Sequence, residues 1–311
     1  MHQVFTIGET LLDIIFREGR PVAAKPGGSM LNAAVSLRRA GIPVRFISDF
    51  GFDEPGELIA NFLEMNGISA QDLHRYHDGK TALALAFLDE KQNASYTFYK
   101  QYPPVRLTGT FPAVEKDDIL LFGSIYAITR EIREKITGFV RRAAGAGAII
   151  LYDPNFRSAH LSELEEVMPF IRENLSLATI VRGSDEDFLN IFASGNGREA
   201  YLAMEKEAPA EARWLVYTRS RERVQVTGSM LDLQVPVPPV EPVSTIGAGD
   251  AFNAGLAWYL VRHRITREML AGMREEEWRN LAGIAIRFAA DVCMSYENYI
   301  SEELIKEIEQ C

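Results

Sequence analysis

Thr245-Ile246-Gly247-Ala248-Gly249-Asp250-Ala251-Phe252-Asn253-Ala254-Gly255 follows a Pro-rich extended segment, 235–243, and opens a helix expected to run to about Arg262. Gly247 and Gly249 permit a tight turn that exposes successive N–H groups at a helix start, where unpaired donors and the helix dipole attract anions. Asp250 in the first turn is a favourable helix start in its own right, which is all that local physics requires of it. Beside an anion-binding turn, however, a carboxylate can take the proton of a hydroxyl that attacks a phosphoryl group, while the amides hold the charge on the phosphate. The chain has no Gly-x-x-x-x-Gly-Lys-Ser/Thr loop, so any phosphate site has to be built from another turn.

Outward from this turn, compact apolar runs alternate with helical patterns. Val4–Gly8, Val44–Phe50, Asp118–Ile125, Ala148–Tyr152, Leu177–Val181 and Trp214–Thr218 read as strands, and Ser29–Ala40 and Glu54–Met65 as helices stopped by Gly41 and by Asn66-Gly67. Such alternation predicts βαβ units, hence an α/β fold with a mostly parallel sheet and helices on both faces. Two β-rich runs break the rhythm, Thr81–Asp89 and Ala94–Lys100, joined by Glu90-Lys91-Gln92-Asn93 with no helix between them; Leu11–Phe16 is also extended. By pattern alone these pieces fit an antiparallel edge of the main sheet as well as a small antiparallel sheet projecting as a lid that excludes water from a phosphoryl donor. With no repeat or long linker, 1–311 reads as a single domain with any second element inserted.

Composition narrows the classes. The 311 residues are long enough for a substantial core, and 47% hydrophobic with 24% charged is ordinary for a globular chain. A net charge of -10 argues against nucleic acid as the main partner, though not against a phosphorylated small molecule in a locally positive pocket. Two cysteines, Cys293 and Cys311, make no disulfide framework. No signal-peptide pattern opens the sequence and no apolar run reaches eighteen residues, so a cytoplasmic protein without membrane partners is expected.

The eleven-residue string resembles the second signature of the ribokinase-like (PfkB-type) carbohydrate kinases, Asp-Thr-x-Gly-Ala-Gly-Asp-x-Phe. The resemblance implies that Asp250 is the catalytic base and that Gly247, Ala248 and Gly249 form the anion hole. Ser244 stands where the family has its first aspartate, a position that in many members helps hold a monovalent cation, so potassium activation is left open. Gly8-Glu9-Thr10-Leu11-Leu12-Asp13 is similar to the family's opening strand and Gly27-Gly28-Ser29-Met30-Leu31-Asn32 to its first signature. Asp13, Gly28 and Asn32 are thereby implied to bind sugar, whereas each taken alone is a solvated strand end or an ordinary turn. Gly51-Phe52-Asp53-Glu54-Pro55-Gly56 is similar to a family turn and is given no chemistry beyond positioning. The same resemblance assigns 11–25 and 81–102 to a lid that often forms a dimer interface. Tyr96, Phe98 and Tyr99 on it are aromatics that cannot all face a sugar, since strand residues alternate.

Asp153-Pro154-Asn155-Phe156-Arg157 resembles a motif of fructokinases and 2-keto-3-deoxygluconate kinases and favours fructose or a keto-sugar acid. Arg157 can reach phosphate or an acidic substrate, and can equally pair with Glu163 or Glu165. The nucleotide end departs from the family. Asn-x-x-Glu becomes Ser184-Asp185-Glu186-Asp187, so Asp187 would reach magnesium only through water, and the same residues make a capped helix start. Thr-x-Gly-x-x-Gly becomes Thr218-Arg219-Ser220-Arg221-Glu222-Arg223, with both glycines lost. Ser184, Thr218, Ser220 and Gly249 are the expected nucleotide contacts. None of the five histidines falls in a matched motif. The expectation is an ATP- and Mg2+-dependent kinase for a small sugar, most specifically fructose, and a homodimer through the lid. The rivals are a kinase for a sugar acid or nucleoside, a binding-only regulator on a kinase fold, and a nicotinamide dehydrogenase, which lacks its Gly-x-Gly-x-x-Gly.

Overall fold

The computed structural model describes residues 2–88, 94–210 and 213–308. In chain order the elements are β1 (Val4–Ile7), β2 (Leu11–Arg17), β3 (Arg20–Gly27), α1 (Ser29–Arg39), β4 (Val44–Gly51), α2 (Glu54–Met65), β5 (Leu73–Tyr76), β6 (Lys80–Leu88), β7 (Ala94–Gln101), β8 (Ile119–Gly123), α3 (Arg133–Ala146), β9 (Ile149–Asp153), α4 (Leu164–Leu177) and β10 (Ile180–Ser184). They continue with α5 (Asp185–Phe192), α6 (Gly197–Glu207), β11 (Trp214–Arg219), β12 (Arg223–Thr227), β13 (Asp232–Pro236), α7 (Ala248–Arg262), α8 (Arg267–Ala271), α9 (Glu275–Cys293) and α10 (Glu302–Ile308).

Nine strands form one sheet in the order β13-β12-β11-β10-β9-β8-β1-β4-β5. From β5 to β11 neighbouring strands are parallel, and β12 and β13 return as an antiparallel edge. The central strands are apolar on both faces because both are covered. Ile119 and Leu121 point into the core under α1, α2, α7 and α9, and Leu120 and Phe122 into the core under α3 to α6. All the parallel strands end on one edge, and the turns that carry chemistry leave from that edge.

One strand expectation is corrected. Leu177 closes α4, and the strand begins at Ile180 and continues through Arg182 to Ser184. The sequence hides this because a strand run is not expected to contain a charge. Arg182 is nevertheless buried, and Asp153 on the neighbouring strand accepts from it at 2.9 Å.

β3-β2-β6-β7 form a separate four-stranded sheet from the segments expected for a lid, rather than an edge of the main sheet. Its outer pairs are antiparallel and its central pair, β2 with β6, is parallel. The parallel seam follows from topology: β2 leaves the main sheet after β1, β6 leaves it after β5, and those two strands run in the same direction. Asp53 joins lid to body. It caps α2 through Gly56 N–H at 3.0 Å and accepts from Thr81 N–H and Oγ1 at 2.9 and 2.5 Å. Lys100 at the end of β7 is tied to Glu9, 2.8 Å away, which also accepts from the Tyr102 hydroxyl. Val22, Phe98 and Tyr99 are exposed apolar residues of this sheet, Phe98 and Tyr99 on its opposite faces. The turn expected at 90–93 lies outside the described residues.

Candidate active site

The helix α7 is buried along nearly its whole length, so its N-terminus is fixed by the core rather than by surface contacts. Gly247 precedes it at φ 82, a left-handed conformation, and a Cβ there would lie 2.6 Å from the Asn298 carbonyl oxygen. Ala248 N–H bonds Thr245 C=O at 3.3 Å, and the first helix-closing bond is Ala251 N–H to Gly247 C=O at 2.8 Å. The amides of Gly249 and Asp250 therefore head the helix without a carbonyl one turn back.

Asp250 is half-buried. Little solvent reaches its carboxylate because protein surrounds it on most sides, and this desolvation raises its pKa to about 7. A hydrogen bond from Asn32 Nδ2 to Oδ2, at 2.8 Å, and the nearby Arg182 and Arg157 work against the rise, while Asp153 adds to it. Asn32, expected to meet a polyol, is buried and directs its amide nitrogen to Asp250; its Oδ1 has no hydrogen-bond partner.

Two clefts meet at the turn, and Thr245 lines both. One, of about 590 Å³, lies beneath the lid and is lined by Asp13, Arg17, Lys25, Tyr96 and Ser244 among others. Asp13 also has a pKa raised to about 7, by burial. Its carboxylate rests on the bare Cα of Gly27, where a Cβ would come within 2.0 Å of Oδ2. Lys25 crosses from β3 to the Tyr296 carbonyl at 3.1 Å and to Glu297 at 3.2 Å. The Ser244 hydroxyl accepts from Ile246 N–H at 3.2 Å, closing a local turn.

The second cleft, of about 420 Å³, contains Ser184, Thr218, Ser220 and Gly249, the residues expected to meet a nucleotide. Arg157 lies in this cleft rather than with Asp13, and it pairs with Glu186 at 3.1 Å, not with Glu163 or Glu165. The Pro-rich segment and α9 close the far side with Val237, Val240, Ile286 and Ala289, an apolar slot that sequence patterns did not reveal.

Ser184 and Asp187 form a capping box: Ser184 N–H and Oγ donate to Asp187 Oδ2 at 2.7 and 2.6 Å. Asp187 Oδ1 is buried without a partner, and burial together with Asp153 raises the pKa of this carboxyl. Among the described residues no group of three or more His, Cys, Asp or Glu could hold a metal ion.

Ser220 stands where the family has glycine and still adopts φ 42. The tight hairpin between β11 and β12 thus keeps its left-handed turn at a cost of about 1 kcal/mol. Arg219 and Arg223 share Glu222, at 3.4 and 3.5 Å, which leaves Arg221 facing the cleft. Arg182 also lines it, and no motif pointed to that residue. The one available signal was a charge inside the apolar run Ile180-Val181-Arg182-Gly183.

The profile described as pfkB family carbohydrate kinase matches residues 1–291. A fructokinase of Vibrio alginolyticus is 26% identical over 296 residues, 91% of this chain and 92% of that protein. An aminoimidazole riboside kinase of Salmonella typhimurium is 26% identical over 270 residues, 84% of this chain and 82% of that protein. The crystal structure of aminoimidazole riboside kinase from Salmonella enterica, complexed with aminoimidazole riboside and an ATP analog, superposes with a TM-score of 0.82 at 21% identity and covers 99% of each chain. At that identity the likeness is one of fold.

Proposed function

The chain belongs to the pfkB family of carbohydrate kinases, and from that premise we propose that it transfers the terminal phosphoryl group of ATP to a hydroxyl of a small sugar, with fructose as the acceptor. The observation that carries this reading is Asp250. It sits at the head of a buried helix, beside free amides, where an acceptor-sized cleft under a lid meets a second cleft lined by arginines.

Asp250 takes the proton of the attacking hydroxyl, for which a carboxyl near neutrality is well placed. Asn32 holds that carboxylate at a fixed angle. The turn Gly247–Gly249 stabilises the charge on the phosphoryl group in transit. Asp13, resting on Gly27, binds acceptor hydroxyls together with Gly28, and the lid keeps water away. ATP lies in the second cleft, its base against the apolar slot and its phosphates towards Ser184, Thr218, Ser220 and Arg157. Magnesium, when bound, neutralises donor phosphate charge. It would be held mainly by the phosphates, with the free Oδ1 of Asp187 reaching it through water. The exposed lid aromatics Phe98 and Tyr99 support a homodimer, and the reading as a whole supports a cytoplasmic enzyme.

A second reading, a sugar acid as acceptor, is favoured by Arg17 and Lys25 on the wall of the acceptor cleft. A coupled assay of ATP consumption with fructose, 2-keto-3-deoxygluconate and aminoimidazole riboside decides among acceptors. Asp250→Asn is expected to lose turnover while calorimetry still detects acceptor binding; turnover like that of the wild type would sink the assignment.

A further inference from the structure

Arg182 is a charged residue in a strand that otherwise carries apolar or small ones, and its side chain is only 9% exposed. Taking a guanidinium out of water costs several kcal/mol unless charge and hydrogen bonds compensate. Here the compensation is thin. Nη1 meets Asp153 Oδ2 at 2.9 Å, but that oxygen also accepts from Asn253 Nδ2 at 2.6 Å. Nη2 donates to the neutral Thr218 hydroxyl at 3.0 Å, and Nε has no partner. Fixed by groups from the strands on either side, the guanidinium lies directly behind the turn. A Cβ added to Gly249 would stand 2.9 Å from Nη1, and the ring centre of Phe252 is 5.3 Å from the guanidinium carbon. An under-compensated, immobile cation behind an anion-binding turn is what preorganised stabilisation of a transferring phosphoryl group requires.

We infer that Arg182 is a positioning residue for phosphoryl transfer: clamped between Asp153 and Thr218, it seats the Gly249 turn and supplies, from behind, positive charge that offsets the charge building on the phosphoryl group. The inference rests on Asp250 being the base. Asn32 from α1 donates to that carboxylate, and the charges of Asp153 at the end of β9, Arg157 just beyond it, and Arg182 from β10 act on it. Asn32 and the two arginines favour its anion and Asp153 opposes it. Neutralising Arg182 and neutralising Asp153 therefore move the titration of Asp250 in opposite directions.

The test measures pH–rate profiles of Arg182→Gln, Arg182→Lys and Asp153→Asn with ATP and the acceptor that gives the highest turnover. Arg182→Gln is expected to lower kcat about 10²-fold, the usual cost of losing one preorganised donor. It should leave the KM for ATP little changed and shift the acid limb of the profile to higher pH. Arg182→Lys should recover part of kcat with the limb in place, and Asp153→Asn should move the limb to lower pH. Wild-type kcat and limb position in Arg182→Gln, or a loss confined to the KM for ATP, overturns the inference. Thermal melting identifies a variant that does not fold. If Arg182→Gln is one, Asp153→Asn decides alone, and a limb that stays or rises overturns the inference. Asp250→Asn serves as control: turnover in that variant removes the base assignment itself, whereas an inactive Asp250→Asn beside wild-type-like Arg182 and Asp153 variants removes only this inference.

Discussion

The proposed acceptor and donor sides of the Gly247–Gly249 turn are built in opposite ways. On the acceptor side, Asp13, Gly27, Gly28 and Asn32 come from one short stretch, and contact depends on small residues: a carboxylate lies on a bare Cα and one amide nitrogen meets Asp250. On the donor side, Asp153, Arg157, Arg182, Ser184, Thr218 and Arg221 come from three successive strands and the turns after them, and contact depends on long charged side chains. The difference teaches that the acceptor site is specified by backbone geometry and the donor site by electrostatics. The first tolerates little added bulk, whereas the second keeps its left-handed turn with Ser220 in place of a family glycine and adds Arg221 to the cleft wall.

The largest expected effect tests whether the two sides really meet at one carboxylate. Asn32→Ala releases Asp250 from its 2.8 Å hydrogen bond, and kcat should fall about 10²-fold, in the range of general-base catalysis. A fall in kcat/KM that comes from KM alone would break the comparison by making Asn32 an acceptor contact. Asp13→Asn should act on the acceptor side only. Losing a charged hydrogen bond of about 1.5–3 kcal/mol raises the acceptor KM about tenfold or more while leaving the KM for ATP unchanged. The mirror experiment is Arg221→Ala, expected to raise the KM for ATP by about fivefold, as for a partly exposed charge worth about 1 kcal/mol. Added salt should weaken that contribution; a change in acceptor KM instead would assign Arg221 to the other side.

Two carboxyls near pH 7 sharpen the comparison further. Activity should decline as pH falls through about 7, where Asp250 and Asp13 take up protons. Both folded-state values lie above the usual carboxylate range of about 4. The folded protein therefore binds these protons more tightly than the unfolded chain does. The resulting stability is present at low pH and is lost as pH rises through about 7. Asp13→Asn should accordingly raise Tm by a few degrees at pH well above neutrality and leave it nearly unchanged in acid. An unchanged Tm at both would show that burial does not strain this carboxyl.

Much of this was legible from residues close together in the chain. The αβ alternation, the buried strands Val4–Ile7 and Ile119–Gly123 and the glycine turn before α7 all follow from period and turn chemistry. Where reading failed, the reason was long-range. The strand expected over Leu177–Val181 runs over Ile180–Ser184 and contains Arg182, whose burial is explained by Asp153 across the sheet. For Arg157 the ion-pair alternative named Glu163 or Glu165, whereas Glu186, 29 residues on, is its partner. The contact of Asn32 with Asp250, 218 positions away in sequence and 2.8 Å away in space, had no local signal either.

The sequence by itself determined the layered α/β class, the anion-binding turn and the aspartate beside it, because hydrophobic period, glycine conformational freedom and helix-end dipoles act within a few residues. Only the tertiary structure decided which charges face one another. Ion pairing and desolvation depend on distance in space, and a parallel sheet brings the ends of strands far apart in sequence to a single edge. That edge is where Arg182, Asp153, Asn32 and Asp250 meet.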